Sequence, residues 1–393
     1  MKIIKKNNVP IFSWCDNPES SAIDQASNLA NLPFIYKHVC LMPDTHMGYG
    51  MPIGGVIACD GIIVPNAVGV DIGCGIATVK TSLTSINPDS LKGIMGEIRK
   101  KIPVGFNKHK EQQDESLMPR IKYDLIGNGG FTFDELPVCS ENYSNARKQL
   151  GTLGGGNHFI EIQKGDDGHI WFMVHSGSRN LGKQVCDHYN KLATEHNKTW
   201  LNYTKDLAFL PLNHELGKKY INEMNYALEF AKANRQVMVD KIKESFDLII
   251  PGLTYEDEIN IHHNYAAMEH HFGKNVMVHR KGATRARKGE LGIIPGSQGT
   301  CSYIVRGLGN ELSFTSCSHG AGRKLSRKKA KENLSVEDES KLLNDKGIIH
   351  SIRNVGDLDE APGAYKDIDI VMEEQKDLVE IMAKLEPLGV IKG

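Results

Sequence analysis

IYKHVCLMPDTHMGYGMPIGGVIACDGIIVPNAVGVDIGCGIATVKTSL, residues 35–83, decides how the chain is read. Three Val/Ile-rich runs stand out in it: HVCLMP, GGVIACDGIIVP and IATVKTSL. Each is short, rich in β-branched residues and bounded by glycine or proline, which predicts strands joined by tight loops. Upstream, Ser21–Leu32 reads as a short helix stopped by Pro33. Downstream, a helix is expected over Asp89–Ile102, followed by a polar, weakly patterned stretch around Asn107–Glu115. FIEIQ and IWFMVH flank the turn signal KGDDGH and predict a hairpin. The clearest helix is Leu212–Phe246, where Leu216, Tyr220, Met224, Ala227, Leu228, Ala231, Met238 and Ile242 recur at helical spacing before Pro251-Gly252. Further helices are expected over Ile259–His271 and Ile368–Leu385, ahead of the tail PLGVIKG. Strands and helices alternate irregularly, without a βαβ series. The class expected is α+β, a mainly antiparallel β core flanked by helices. No Pro/Ser linker divides the chain, so residues 1–393 are expected to form one large catalytic domain.

Composition narrows the function. Lys+Arg 47 against Asp+Glu 48 excludes a histone-like polycation but leaves room for a local basic groove. Hydrophobic content of 40% and charged content of 24% exclude wholesale disorder. No apolar run reaches the roughly 18–20 residues that span a bilayer, and MKIIKKNNVP has no signal-peptide core. A cytoplasmic protein with no membrane partner is expected. Eight cysteines without a CxxC pair then read as reduced thiols rather than a zinc knuckle. Thirty-nine glycines, about a tenth of the chain, cluster in loops where backbone amides can approach a ligand.

Three clusters carry possible chemistry. MPDTHMGYG and GVDIGCG bring Asp71 and Cys74 into one glycine-bounded turn, a pair suited to a transition-type divalent metal. On spacing alone, a turn aspartate capping amides beside a buried cysteine is the commoner arrangement. LGGGNHF and VHSGSRNLG place His158 and His175 at strand edges that a hairpin can bring together, and His262-His263 is a third candidate. His270-His271 is expected on a solvated face. Cys, Asp and several His make the set expected for manganese, iron or zinc, and two metals sharing a thiolate are conceivable. GIIPGSQGTCSYIVRG and TSCSHGAGRKLSRKKAK match neither the P-loop nor the Rossmann pattern. Their amides with Ser297 and Ser302 can hold a phosphate or a base edge, and His319 is either a nucleophile or a plain loop histidine. Basic runs at Arg280–Lys288 and Arg323–Lys331 suit a polyanion. Arg179, Arg280 and Arg323 are the strongest candidates because they sit in or beside the glycine motifs.

MPDTHMGYG, VGVDIGCG, LGGGNHF, HSGSRNLG, HHNY, HRKGATRA, PGSQG, SHGAGR and the terminal VIKG occur in the order of RtcB-type RNA-splicing ligases, which the whole chain resembles. The resemblance implies an RtcB-like domain and an RNA ligase dependent on GTP and two Mn²⁺ ions. Such an enzyme joins RNA 2′,3′-cyclic phosphate or 3′-phosphate ends to 5′-hydroxyl ends through a covalent histidine–GMP intermediate, in tRNA splicing or RNA repair. By motif, it implies Asp71, Cys74, His158, His175 and His263 as metal ligands, with Cys74 bridging. His319 resembles the guanylylated nucleophile and Asp44 the residue supporting it. Asn157, His158, His263, Asn264, Pro295, Gly296, Ser297, Gln298, Ser302, His319, Gly320, Ala321, Gly322 and Lys392 resemble the nucleotide site, and Arg179 a contact to the RNA terminal phosphate. Departures are Tyr49 where some members carry lysine, Gln298 for a common methionine and Asn180 for a common glycine. A manganese phosphodiesterase, an enzyme that caps ends without sealing them, and a quiet RNA-binding protein are the rival readings. Intact candidate ligands and His319 disfavour the last.

Overall fold

A computed structural model describes residues 1–120, 131–199 and 206–393. The stretch 35–83 forms strands Ile35–His46, Ile53–Cys59 and Gly75–Thr81, but they do not share one sheet. The first two pair antiparallel in a six-stranded sheet ordered Lys2–Ile4, Ile11–Ser13, Ile35–His46, Ile53–Cys59, Lys274–Lys281, Asn264–His271. Its one parallel pair is Ile11–Ser13 with Ile35–His46. Gly75–Thr81 belongs instead to a seven-stranded antiparallel sheet. Its order is Tyr255–His262, Gly75–Thr81, Ile170–Ser176, Phe159–Gly165, Val379–Lys392, Ser302–Gly307, Leu291–Ile294. The two outer strands approach each other, so this sheet is nearly closed. The α+β class with a mainly antiparallel core therefore holds.

Helices cover the sheets where the sequence has apolar stripes. Glu215–Ile249 buries Tyr220, Met224, Ala227, Ala231, Met238 and Ile242 of the stripe read from the sequence, while Leu216 and Leu228 are only partly buried. Helix Pro88–Lys101 packs beside it through Leu91, Ile94, Met95 and Ile98. Its start is set by Pro88 in the first turn and by the Asn87 side chain, which accepts from the Ser90 amide at 2.8 Å. Helix Ser20–Ala30 and the hairpin Phe159–Gly165/Ile170–Ser176 also form as expected.

Two expected helices do not form. Ile259–His271 is split between strand Tyr255–His262 and strand Asn264–His271, one in each sheet. Pairing of Ile261 with Ile76 and of Tyr265 with Arg280 overrides the local helical spacing. Ile368–Leu385 is helical only to Glu373; Val379–Lys392 is a central strand. The register shift between Pro387 and Gly389 is how an interior strand tolerates a proline. Two side-chain placements also differ from expectation. His271 is buried against Glu269 Oε2 at 2.9 Å, because strand alternation turns it away from exposed His270. Arg280 is fully buried in a bidentate pair with Glu269 (2.6 and 3.1 Å), so it is not a polyanion contact.

The chain thus crosses between the sheets at residues 60–74 and again at His263, and both crossings meet. His263 donates its backbone N–H to the Cys74 carbonyl at 2.9 Å.

Candidate active site

His262, Gly75 and Ser176 lie in one row of the seven-stranded sheet. The residues flanking that row, Cys74, His175 and His263, converge at the sheet end. Phe159 pairs with His175, which brings His158 alongside. Cys74 Sγ lies 3.2 Å from His175 Nε2 and 3.4 Å from His158 Nε2. His175 Nε2 is 3.3 Å from His263 Nε2, and His158 Nε2 is 3.1 Å from Asp71 Oδ2. Two donor groups result, Cys74–His175–His263 and Asp71–Cys74–His158, each within 4.8 Å and sharing the thiol. Arg235, fully buried, braces them from behind by donating to the Gly73 and Ser176 carbonyls, both at 2.9 Å.

These residues fit a divalent transition metal. His175 Nδ1 faces the Asn157 carbonyl at 3.1 Å, and a carbonyl only accepts, so Nδ1 carries the proton. Burial holds this imidazole well below its usual pKa, so it is neutral and Nε2 offers a bare lone pair. That lone pair points at a thiol and another imidazole, an arrangement a cation satisfies. Burial, reinforced by Asp71, pushes the Cys74 thiol well up; a bound cation would reverse this by favouring the thiolate. Gly154, with φ of +91°, is required here. A Cβ on it would collide with His158 Nδ1 and Arg179 Nη1.

His319 follows the short strand Ser316–Ser318, and its ring packs against His263 with centroids 4.7 Å apart. Asp44, wholly buried, accepts at Oδ2 from His319 Nδ1 (2.6 Å) and from the His319 backbone N–H (3.1 Å). Burial alone would raise the Asp44 carboxyl, but His319 outweighs it and holds it below the ordinary range. Lys366, unremarked in the sequence, fixes the end of strand Ile35–His46 by donating to the Pro43 and Thr45 carbonyls at 3.2 and 2.6 Å.

From His175 and His319 a cavity of about 800 Å³ opens, lined by Asn157, Pro295–Gln298, His319–Gly322 and Lys392 among others. Most of the residues proposed for a nucleotide thus share one chamber. His158, His263, Asn264 and Ser302 do not line it; the two histidines face the metal-donor groups instead. Asn264 donates to the Asp71 carbonyl (3.1 Å) and accepts from the Gly282 amide (2.7 Å), while Ser302 Oγ accepts from the Gly296 amide (3.2 Å) and braces the PGSQ turn. Gln298 donates to the Glu360 carbonyl at 2.8 Å.

Two buried carboxylates in the chamber carry no mark in the sequence. Glu161, 3% exposed, bonds to Gln163 Nε2 at 2.5 Å, and burial pushes its carboxyl up to about 8. Glu360 gathers Arg323 Nη1 (3.1 Å), Arg327 Nε (2.9 Å), the Tyr365 hydroxyl and Lys392 Nζ (3.9 Å). The Arg323 charge is thus largely spent inside the protein. Only strand alternation could have flagged Glu161; no local signal marks Glu360.

Arg179 lies outside this chamber, on the Asp71–His158 side. Its Nε donates to Thr152 Oγ1 (3.0 Å) and its Nη2 to the Gly105 carbonyl (2.8 Å). Tyr49 bonds to Asp206 Oδ1 at 2.8 Å. Asn180 donates its backbone N–H to Gln149 Oε1 at 3.3 Å.

Comparison with known proteins matches the family described as "tRNA-splicing ligase RtcB" to residues 25–393. The chain is 38% identical over 408 residues to the RNA-splicing ligase RtcB of Escherichia coli K12, covering 100% of this chain and 99% of that protein. It is 34% identical over 469 residues to the tRNA-splicing ligase RtcB of Thermococcus kodakarensis, covering 100% and 96%. Against the tRNA-splicing ligase RtcB of Nanoarchaeum equitans it is 36% identical over 460 residues, covering 99% and 96%.

Proposed function

The chain belongs to the RtcB family of RNA-splicing ligases and is an RNA ligase, and from that premise we propose how residues 1–393 work as one catalytic unit on GTP and RNA ends. The substrates are RNA bearing a 2′,3′-cyclic phosphate or 3′-phosphate and RNA bearing a 5′-hydroxyl, in cytoplasmic tRNA splicing or RNA repair. One observation carries the reading. A thiol shared by two cation-donor groups adjoins a histidine that is oriented by a buried carboxylate and opens on a nucleotide-sized cavity.

Cys74, His175 and His263, and Asp71, Cys74 and His158, would hold two Mn²⁺ ions, which would supply Lewis-acid neutralisation of phosphate charge. Asp44 keeps the proton of His319 on Nδ1, which leaves the Nε2 lone pair to attack the α-phosphorus of GTP. A P–N bond forms and pyrophosphate leaves. The RNA 3′-phosphate then takes GMP from His319, and the 5′-hydroxyl displaces GMP to seal the strand. A cyclic end is first opened by water to the 3′-monoester. Glu161 suits guanine: N1–H and the exocyclic amine both donate to it, which favours its ionised form against the burial that otherwise keeps it protonated. Pro295–Gln298, Gly320–Gly322, Asn157 and Lys392 surround the remainder of the nucleotide, and Ser302 and Asn264 shape the loops that do so. Arg179 meets the RNA terminal phosphate.

The test supplies GTP, Mn²⁺ and two RNAs, one ending in a 3′-phosphate and one beginning with a 5′-hydroxyl. A joined product from the wild-type protein and none from His319→Ala is expected. GMP-capped RNA that is never joined would instead favour the capping enzyme.

A further inference from the structure

Phe106 is the most exposed large apolar side chain among the described residues, at 107% of its reference area, and it enters none of their hydrophobic clusters. A ring left in water adds nothing to folding. The backbone beneath it is nevertheless tied down on both sides. Asn107 donates to the Val104 carbonyl at 3.2 Å, Gly105 to the Gly154 carbonyl at 3.1 Å, and His109 to the Lys148 carbonyl at 2.9 Å. Arg179 Nη2 donates to the Gly105 carbonyl at 2.8 Å.

That anchoring joins the ring to the chemistry. Gly154 is where His158 Nδ1 and Arg179 Nη1 close on the backbone. The turn bearing Phe106, the Arg179 guanidinium and a candidate metal donor therefore meet at one point. Arg179 is held by a hydroxyl and a carbonyl; the Asp71 carboxylate acts on it only from a distance, without a direct ion pair. Lys108 and Lys110 follow in the same loop. A guanidinium with Asp71 nearby but no described carboxylate in direct ion-pair contact, and an exposed ring one residue from its anchor, form the combination that grips an unpaired nucleotide. We propose that Phe106 is the stacking platform for the nucleobase of the RNA 3′-terminal nucleotide, whose terminal phosphate meets Arg179. The inference rests on the ligase reading. Stacking tolerates any base, because every base has a π-face.

The experiment compares full-length wild type with Phe106→Ala, Phe106→Leu and Phe106→Trp. Two readouts are taken: protein–GMP formation from GTP and Mn²⁺ without RNA, and the ligation KM for a 3′-phosphate RNA ending in a normal or an abasic nucleotide. The Ala and Leu variants are expected to label at the wild-type rate while KM rises roughly 5- to 150-fold, and Trp to restore it. Removing the terminal base should cost the wild type a similar factor and cost Phe106→Ala nothing further. A wild-type KM in Phe106→Ala, or an abasic penalty of equal size in both proteins, overturns the stacking role alone. A wild-type protein that neither labels nor ligates overturns the ligase reading, and this inference with it.

Discussion

Replacing Asp44 by Asn tests how the nucleophile is prepared. Oδ2 of Asp44 accepts from both His319 Nδ1 and the His319 amide, and Oδ1 is buried without a described partner. An asparagine with its oxygen toward His319 keeps two weakened bonds but buries an unpaired NH₂, at about 1–3 kcal/mol. The opposite orientation sets NH₂ against two donors, and relief comes only if the imidazole gives up its Nδ1 proton. The proton then sits on Nε2, the attacking atom. Both outcomes also remove the carboxylate charge that stabilises the imidazole as it bonds to phosphorus, and charged hydrogen bonds contribute about 1.5–3 kcal/mol. A combined loss of about 2–4 kcal/mol slows protein–GMP formation roughly 30- to 1,000-fold, at ~1.4 kcal/mol per tenfold. The assay is the single-turnover rate of labelling from GTP and Mn²⁺, with bound manganese measured alongside. Unchanged manganese with slow labelling is the expected pair. Labelling of Asp44→Asn at the wild-type rate would show that Asp44 does not prepare His319 for attack.

Other consequences follow from the same geometry. Cys74→Ser should bind markedly less manganese in equilibrium dialysis, since both donor groups use its sulfur; retention of two ions would contradict the bridge. Glu161→Gln should lower the preference for GTP over ATP by roughly 10- to 150-fold in labelling competition, the worth of a charged hydrogen bond. Because burial raises Glu161 to about 8, its stabilising contribution is complete below its unfolded value and is lost as pH rises through 8. The same variant should therefore raise the melting temperature of the nucleotide-free protein more above about pH 8 than near pH 5. Glu269→Gln leaves Arg280 buried without its counter-charge and should cost about 3–5 kcal/mol in urea unfolding at neutral pH. Glu269 is held far below the ordinary carboxylate range, so this difference should persist on acidification until the unfolded-state value is passed, then shrink.

The sequence reveals elements whose pattern is local. Helix Glu215–Ile249 follows its apolar stripe, and hairpin Phe159–Ser176 follows a turn between two β-branched runs. It hides Tyr255–His271 and Val379–Lys392, because those strands are specified by partners far away in the chain, such as Ile76 for Ile261 and Ile160 for Ile391. The candidate site divides similarly. Cys74, His158, His175 and His319 sit in glycine motifs that can be recognised, whereas Glu360 acquires meaning only when Arg323, Arg327 and Lys392 fold around it. Arg280 misleads because a basic run does not say which face of a strand each member takes. Its neighbour Lys281 points the other way and donates to the Tyr49 and Asn66 carbonyls.

The most direct measurement is peptide mapping by mass spectrometry after the protein is incubated with GTP and Mn²⁺ and digested without acid. GMP is expected on the peptide carrying His319, at that residue, and on no other. GMP on a lysine such as Lys392, or a His319 peptide that stays unmodified while labelled protein accumulates, would contradict the assignment of His319 as nucleophile.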